Sequence, residues 1–102
     1  EGSCYLGEVA LVEHSSNISR SGLLFYNTLL DENAACHLAL GKGFAGAIDG
    51  ARATPDETWT KANLNVSSIH IDFMFGTPDL EISAVCADGV VVKLFENGNY
   101  AN

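Results

Sequence analysis

Residues 66–75, VSSIHIDFMF, restrict the fold of this chain more than any other stretch. Apolar Ile69, Ile71, Phe73 and Phe75 alternate with Ser68, His70, Asp72 and Met74. This period of two predicts a β-strand with two unlike faces. His70 and Asp72 then share a face, roughly 7 Å apart along the strand. An imidazole and a carboxylate held together on a rigid strand can bind one metal ion or bridge two. The plain reading of the same pattern is a half-exposed strand with a polar outer side.

The chain has 102 residues, 47% of them hydrophobic and 18% charged, which suits one small folded domain rather than a disordered segment. Its formal net charge of −8 disfavours nucleic acid and anionic membranes as partners, since both call for cationic patches. The same charge suits cations and substrates with a free amine. No apolar run is long enough to span a bilayer, and no secretory leader is visible. The chain starts at Glu1, directly before apolar sequence, as a piece of a longer protein or a processed chain would. Cys4, Cys36 and Cys86 are widely spaced and form no CxxC pair, which argues against a structural zinc site. They read as reduced, buried thiols of a cytoplasmic protein, although the count also admits one disulfide with one free thiol.

Along the chain, YLGEVALVEH at 5–14 reads as a strand, with Glu8 the anomalous carboxylate among Leu6, Ala10 and Val12. A buried carboxylate needs a partner, whereas one at a strand edge reaches water. SSNISRSG at 15–22 is a loop. LLFYNTLL at 23–30 is a buried strand or the start of a helix, which periodicity cannot separate over so short a run. DENAACHLAL at 31–40 reads as a helix, with Asp31 at the N-cap, Thr28 as a competing cap and Gly41 as the stop. Its body is apolar almost all round, so it is expected to be buried, with His37 in its middle. A lone histidine there is ordinarily a hydrogen-bonded core residue.

Residues 41–53, with four glycines and Phe44, read as a mobile loop. TPDE at 54–57 is a capping box that opens a short helix through about Ala62, anchored by Trp59. LEISAVCA at 80–87 and VVVKLF at 90–95 read as strands joined by Asp88-Gly89, a two-residue hairpin signal of the I′ kind; Asn97-Gly98 is a further turn. The order predicts an α+β fold: an antiparallel or mixed β-sheet with one buried helix and one short helix.

Glu8, His37, His70 and Asp72 stand out together. Each is a hard or borderline metal ligand on an otherwise apolar, regular element. Two His with two carboxylates is a composition common in divalent-metal hydrolase sites. No GxSxG elbow or phosphate-binding loop competes with it. Cys36 and His37 do not form a dyad, because adjacent helical residues point about 100° apart.

GEVALV at 7–12, SGLLFYNTLLDENAACHLALG at 21–41, HIDFMFGTPDLEISAV at 70–85, DG at 88–89 and ENGNY at 96–100 together resemble the C-terminal end of the M29 metalloaminopeptidases, the aminopeptidase T and aminopeptidase S type. The resemblance covers roughly residues 3–100 and is weakest over 45–65. It implies that residues 1–102 are a single fragment, the C-terminal portion of a larger catalytic domain. It implies an exopeptidase that uses two divalent ions, zinc, cobalt or manganese, to remove N-terminal residues from peptide substrates, and a parent that is a homodimer. The family's ligands fall on Glu8, His37, His70 and Asp72, with Glu8 also a candidate general base. A further metal-binding Glu of the family lies upstream of this region. The family's tyrosine near the metals falls on Phe44, which has no hydroxyl. Two other readings stand beside the aminopeptidase: a non-catalytic assembly or peptide-binding module of the same fold, and an acidic domain with one structural metal.

Overall fold

The computed structural model describes residues 1–47 and 64–102. It resolves into two compact units, Glu1–Ala10 with Leu38–Phe73, and Leu11–His37 with Met74–Asn102. The chain forms β1 (Leu6–Ala10), α1 (Asn17–Ser21), α2 (Thr28–Asp31), a 3-10 turn at Glu32–Ala34, β2 (His37–Gly41), a second 3-10 turn at Ala45–Ala47, then β3 (His70–Met74), β4 (Ile82–Val85), β5 (Val91–Glu96) and β6 (Asn99–Tyr100). Two three-stranded sheets result, in the orders β1-β2-β3 and β4-β5-β6. This is the expected α+β class. None of the described helices is long and apolar enough to cross a membrane.

In the first unit the alternation along β3 forms a strand as read, but its faces are reversed from the usual sense. Ile71 and Phe73 are 55% and 43% exposed, while His70 and Asp72 are half-buried. The polar side packs inward because it has partners there, described below.

The helix expected over 31–40 is not formed. Helical structure ends at Asp31 with one 3-10 turn beyond it, Ala35 is extended at φ −154°, and His37–Gly41 is a strand. His37, Ala39 and Gly41 are buried while Leu38 and Leu40 are half-buried, so the period is two, not 3.6. An apolar run covered on both sides looks alike as strand or helix, and sheet pairing overrides the Ala and Leu propensity. Asp31 does not cap a helix that follows it. Its two carboxylate oxygens accept from the backbone N–H groups of Phe25 (2.8 Å) and Asn27 (3.1 Å), behind it in the chain. This clamp holds Tyr26 between them at φ 53°, in the left-handed region. The apolar run 23–30 is accordingly not buried: Leu23, Leu24, Tyr26 and Leu29 are all exposed.

In the second unit β4 and β5 pair antiparallel with Val85 opposite Val91, and β5 and β6 with Glu96 opposite Asn99. The I′ signature falls on Asn97-Gly98, with φ 49° and 73°. At 86–90 Gly89 alone is left-handed, and its N–H donates to the Cys86 carbonyl at 2.9 Å. That is a longer loop closing on a left-handed glycine, not the two-residue turn that Asp88-Gly89 suggests.

The strand predicted over 5–14 stops at Ala10. In the second unit Tyr100 then donates from its hydroxyl to the Leu11 carbonyl and from its N–H to Glu13 Oε1. Phe95 is fully buried, its ring 4.5 Å from that of Tyr100. All three thiols are free, but only Cys36 is buried; Cys4 and Cys86 are exposed, against the expectation of three buried thiols. The short helix expected after the capping box at 54–57, with Trp59, lies outside the described residues.

Phe95 supplies the largest buried side chain of the second unit. Phe95→Ala is expected to destabilise the fold by about 3–5 kcal/mol, read as a lower midpoint in urea denaturation with the slope unchanged.

Candidate metal centre

Strand pairing brings three of the four predicted residues together within the first unit. Glu8 lies mid-way along β1, and His70 and Asp72 on one face of β3. His70 Nε2 is 3.2 Å from Asp72 Oδ1 and 3.6 Å from Glu8 Oε2. Carboxylate oxygens of Glu8 and Asp72 lie within 4.8 Å of one another. All three side chains are half-buried, reached by solvent yet shielded from most of it.

The orientation of the His70 ring follows from its other nitrogen. Nδ1 lies 2.7 Å from the Lys42 carbonyl oxygen. A carbonyl oxygen only accepts, so Nδ1 carries the proton. In the neutral ring Nε2 is then a bare acceptor, and it faces two carboxylates that are acceptors as well. The arrangement suits a cation among the three: a proton, on Nε2 or on a carboxylate, or a metal ion. This is the donor set that a divalent ion takes from imidazole and carboxylate, with the outer nitrogen held by a backbone carbonyl as ligating histidines ordinarily are. The chemistry of the residues present therefore fits a metal.

The proton affinity of His70 reports the same field. Burial of the ring is the largest single influence and lowers its pKa. The Lys42 hydrogen bond, the charges of Asp72 and Glu8, and the Asp72 hydrogen bond together outweigh it, leaving the pKa above the ordinary imidazole value. Phe44 packs on the ring, with centroids 4.8 Å apart and planes tilted by 57°. The residue at the tyrosine position of the resemblance is thus in direct contact with His70.

His37 stands in the second unit, at the first position of β2 and not on a helix. It is 1% exposed, and its Nδ1 lies 2.9 Å from the Ala35 carbonyl oxygen. As in His70, a carbonyl takes the Nδ1 proton, and Nε2 of the neutral ring is an acceptor.

Sequence reasoning missed Lys42, which acts through its backbone carbonyl, and the setting of that carbonyl. Residues 41–43 are not a mobile loop: Gly41 and Gly43 are buried, and the N–H groups of Gly41, Lys42 and Gly43 donate to Tyr5, Ile69 and Asn65 at 2.8, 2.7 and 2.9 Å. The available signal was the pair of glycines flanking Lys42, which marks close backbone approach as readily as flexibility.

With this geometry in view, residues 1–100 match the family described as Thermophilic metalloprotease (M29). The chain belongs to the M29 family. It is 52% identical over 101 residues to Aminopeptidase AmpS of Bacillus subtilis (strain 168), covering 99% of this chain and 25% of that protein. It is 37% identical over 100 residues to Aminopeptidase T of Thermus aquaticus, covering 98% of this chain and 24% of that protein. Among solved structures, wild-type AmpT from Thermus thermophilus superposes with a TM-score of 0.82 at 35% identity, over 100% of this chain and 24% of its own. The chain thus spans about a quarter of the length of these relatives.

The raised pKa gives a direct test in metal-free protein. His70 is expected to titrate by NMR above the ordinary imidazole value, and Glu8→Gln or Asp72→Asn to bring it down. A raised folded-state pKa stabilises the fold fully below the unfolded value and loses that contribution as pH rises through the folded one. Metal-free stability carried by His70 should therefore fall over that window, and the fall should shrink in Asp72→Asn.

Proposed function

We propose that this chain is part of the catalytic domain of a metal-dependent aminopeptidase that removes N-terminal residues from peptides. The observation that carries the reading is the convergence of three acceptors, His70 Nε2 and the Glu8 and Asp72 carboxylates, which calls for a cation. The family and its aminopeptidase members support it.

In this reading Glu8, His70 and Asp72 hold divalent metal, and His37 joins them as a fourth ligand. Support for His37 is the resemblance to the M29 metalloaminopeptidases, whose histidine in the DENAACH block falls on it. The site holds two ions of zinc, cobalt or manganese. When bound, such ions supply Lewis acidity and bring the pKa of a water from about 15.7 toward neutrality. A carboxylate, Glu8 or the family's upstream Glu, accepts the proton that the attacking water loses. The Lys42 carbonyl orients the His70 ring, and the acidic surround attracts the α-ammonium group of the substrate. Phe44 excludes water from one side of His70 but offers no hydroxyl to developing charge. The parent is a cytoplasmic homodimer in which residues 1–102 form one piece of a single domain.

The absent hydroxyl at Phe44 favours one competing reading, a non-catalytic module that binds peptides or serves assembly. Such a module has no need for three converging acceptors, so the catalytic reading is preferred.

Elemental analysis of the dialysed full chain should find near two divalent ions per chain, against one for a purely structural site. His70→Ala with Asp72→Ala should lose them. Loss of charge stabilisation worth several kcal/mol, at about 1.4 kcal/mol per tenfold in rate, predicts a fall of roughly a hundredfold or more on amino-acid amides. A protein that hydrolyses these amides equally well after the double substitution would refute the reading. Phe44→Tyr should raise kcat if the missing hydroxyl limits turnover, and leave it unchanged if another group serves.

A further inference from the structure

The Lys42 carbonyl that sets the His70 ring belongs to the peptide group joining Lys42 to Gly43. Gly43, on its C-terminal side, accepts the dihedral change that a rotation of this peptide needs. A half-turn would swing the carbonyl away and present the Gly43 N–H instead. Nδ1 would then face a donor and give up its proton, and Nε2 would carry it. A protonated Nε2 has no lone pair for a metal.

Asn65 opposes that rotation at both ends of the turn. Its backbone carbonyl accepts from Gly43 N at 2.9 Å, the other end of the peptide that His70 reads; a side-chain substitution leaves this bond, but removes the amide that anchors residue 65 beside the turn. Its side-chain amide spends its two hydrogens on Gly41 O at 2.6 Å and Gly2 O at 2.7 Å. The glycines are used for closeness, not looseness. A Cβ on Gly7 would meet the Gly41 carbonyl and lie 2.6 Å from Lys42 O, and a Cβ on Gly41, at φ 100°, would meet the Ile69 carbonyl.

We propose that Asn65 is a positioning residue: by clamping the Gly41-Lys42-Gly43 turn it fixes the Lys42 carbonyl, and so holds His70 in the tautomer whose Nε2 faces Glu8 and Asp72. The consequence for metal rests on the reading of His70 as a ligand; the tautomer does not.

The test compares wild type with Asn65→Ala in the full chain, with Asn65→Ser, which keeps one donor, used if the first does not fold. Imidazole nitrogen NMR on metal-free protein, at a pH where His70 is neutral, reads the tautomer, and zinc titration reads affinity. Wild type should show His70 protonated on Nδ1 alone. The variant should shift toward the Nε2-protonated tautomer and bind zinc more weakly, by at least the inverse of the Nδ1-protonated fraction that remains. A folded variant with His70 still wholly Nδ1-protonated overturns the proposal, whatever its zinc affinity. A shift mainly to the Nε2-protonated tautomer with unchanged affinity supports the clamp and overturns His70 as ligand. A wild type that binds no zinc overturns the metal reading, while the tautomer comparison still decides the clamp.

Discussion

Three hydrogen-bond acceptors face one another at the centre of the first unit, and the chemistry of the site follows from that. His70 Nε2 cannot donate unless the ring is charged, because Nδ1 already holds the proton against the Lys42 carbonyl. Glu8 and Asp72 repel each other and the imidazole lone pair alike. A cation relieves all three at once, and the upward displacement of the His70 pKa is the proton's version of that relief. A divalent ion offers the same relief with twice the charge, so proton and metal compete for one place.

Holding acceptors together against their repulsion takes a rigid frame. β3 sets the spacing of His70 and Asp72 by its pleat, and pairing in the β1-β2-β3 sheet brings up Glu8. The turn at 41–43 adds the outer constraint on His70. The N–H groups of all three residues are bonded, so the carbonyl facing Nδ1 is fixed although Gly43 follows it. Small residues here allow backbones to approach where any side chain would hold them apart.

Little side-chain volume is buried to support this frame. Among the described residues, Cys36, His37, Ala39 and Phe95 are the buried non-glycine side chains, while Ile71 and Phe73 turn their apolar surface outward. In the second unit the Phe95 and Tyr100 rings meet at a tilt, and hydrogen bonds from Tyr100 tie the Leu11–Glu13 segment to β6. Backbone pairing therefore bears more of the local order than apolar packing does.

The sequence by itself determined the elements whose signals are local. Alternation from Ile69 to Phe75 specified β3 and put His70 and Asp72 on one face; Asn97-Gly98 specified a tight turn, since few other pairs accept two left-handed residues. Glu8, His70 and Asp72 could be singled out because a titratable side chain on an apolar strand is anomalous wherever the strand goes. Tertiary structure decided the rest. The 31–40 run carries good helix formers, and only pairing made His37–Gly41 a strand, because apolar residues covered on both sides have no telling period. Asp31, a good cap by type, spent its carboxylate on Phe25 and Asn27, contacts that depend on how the chain doubles back. The glycines around Lys42 look alike as a string whether loose or clamped. Asn65, far along the chain, makes the difference, and no local pattern encodes a hydrogen bond between residues that only the fold brings together.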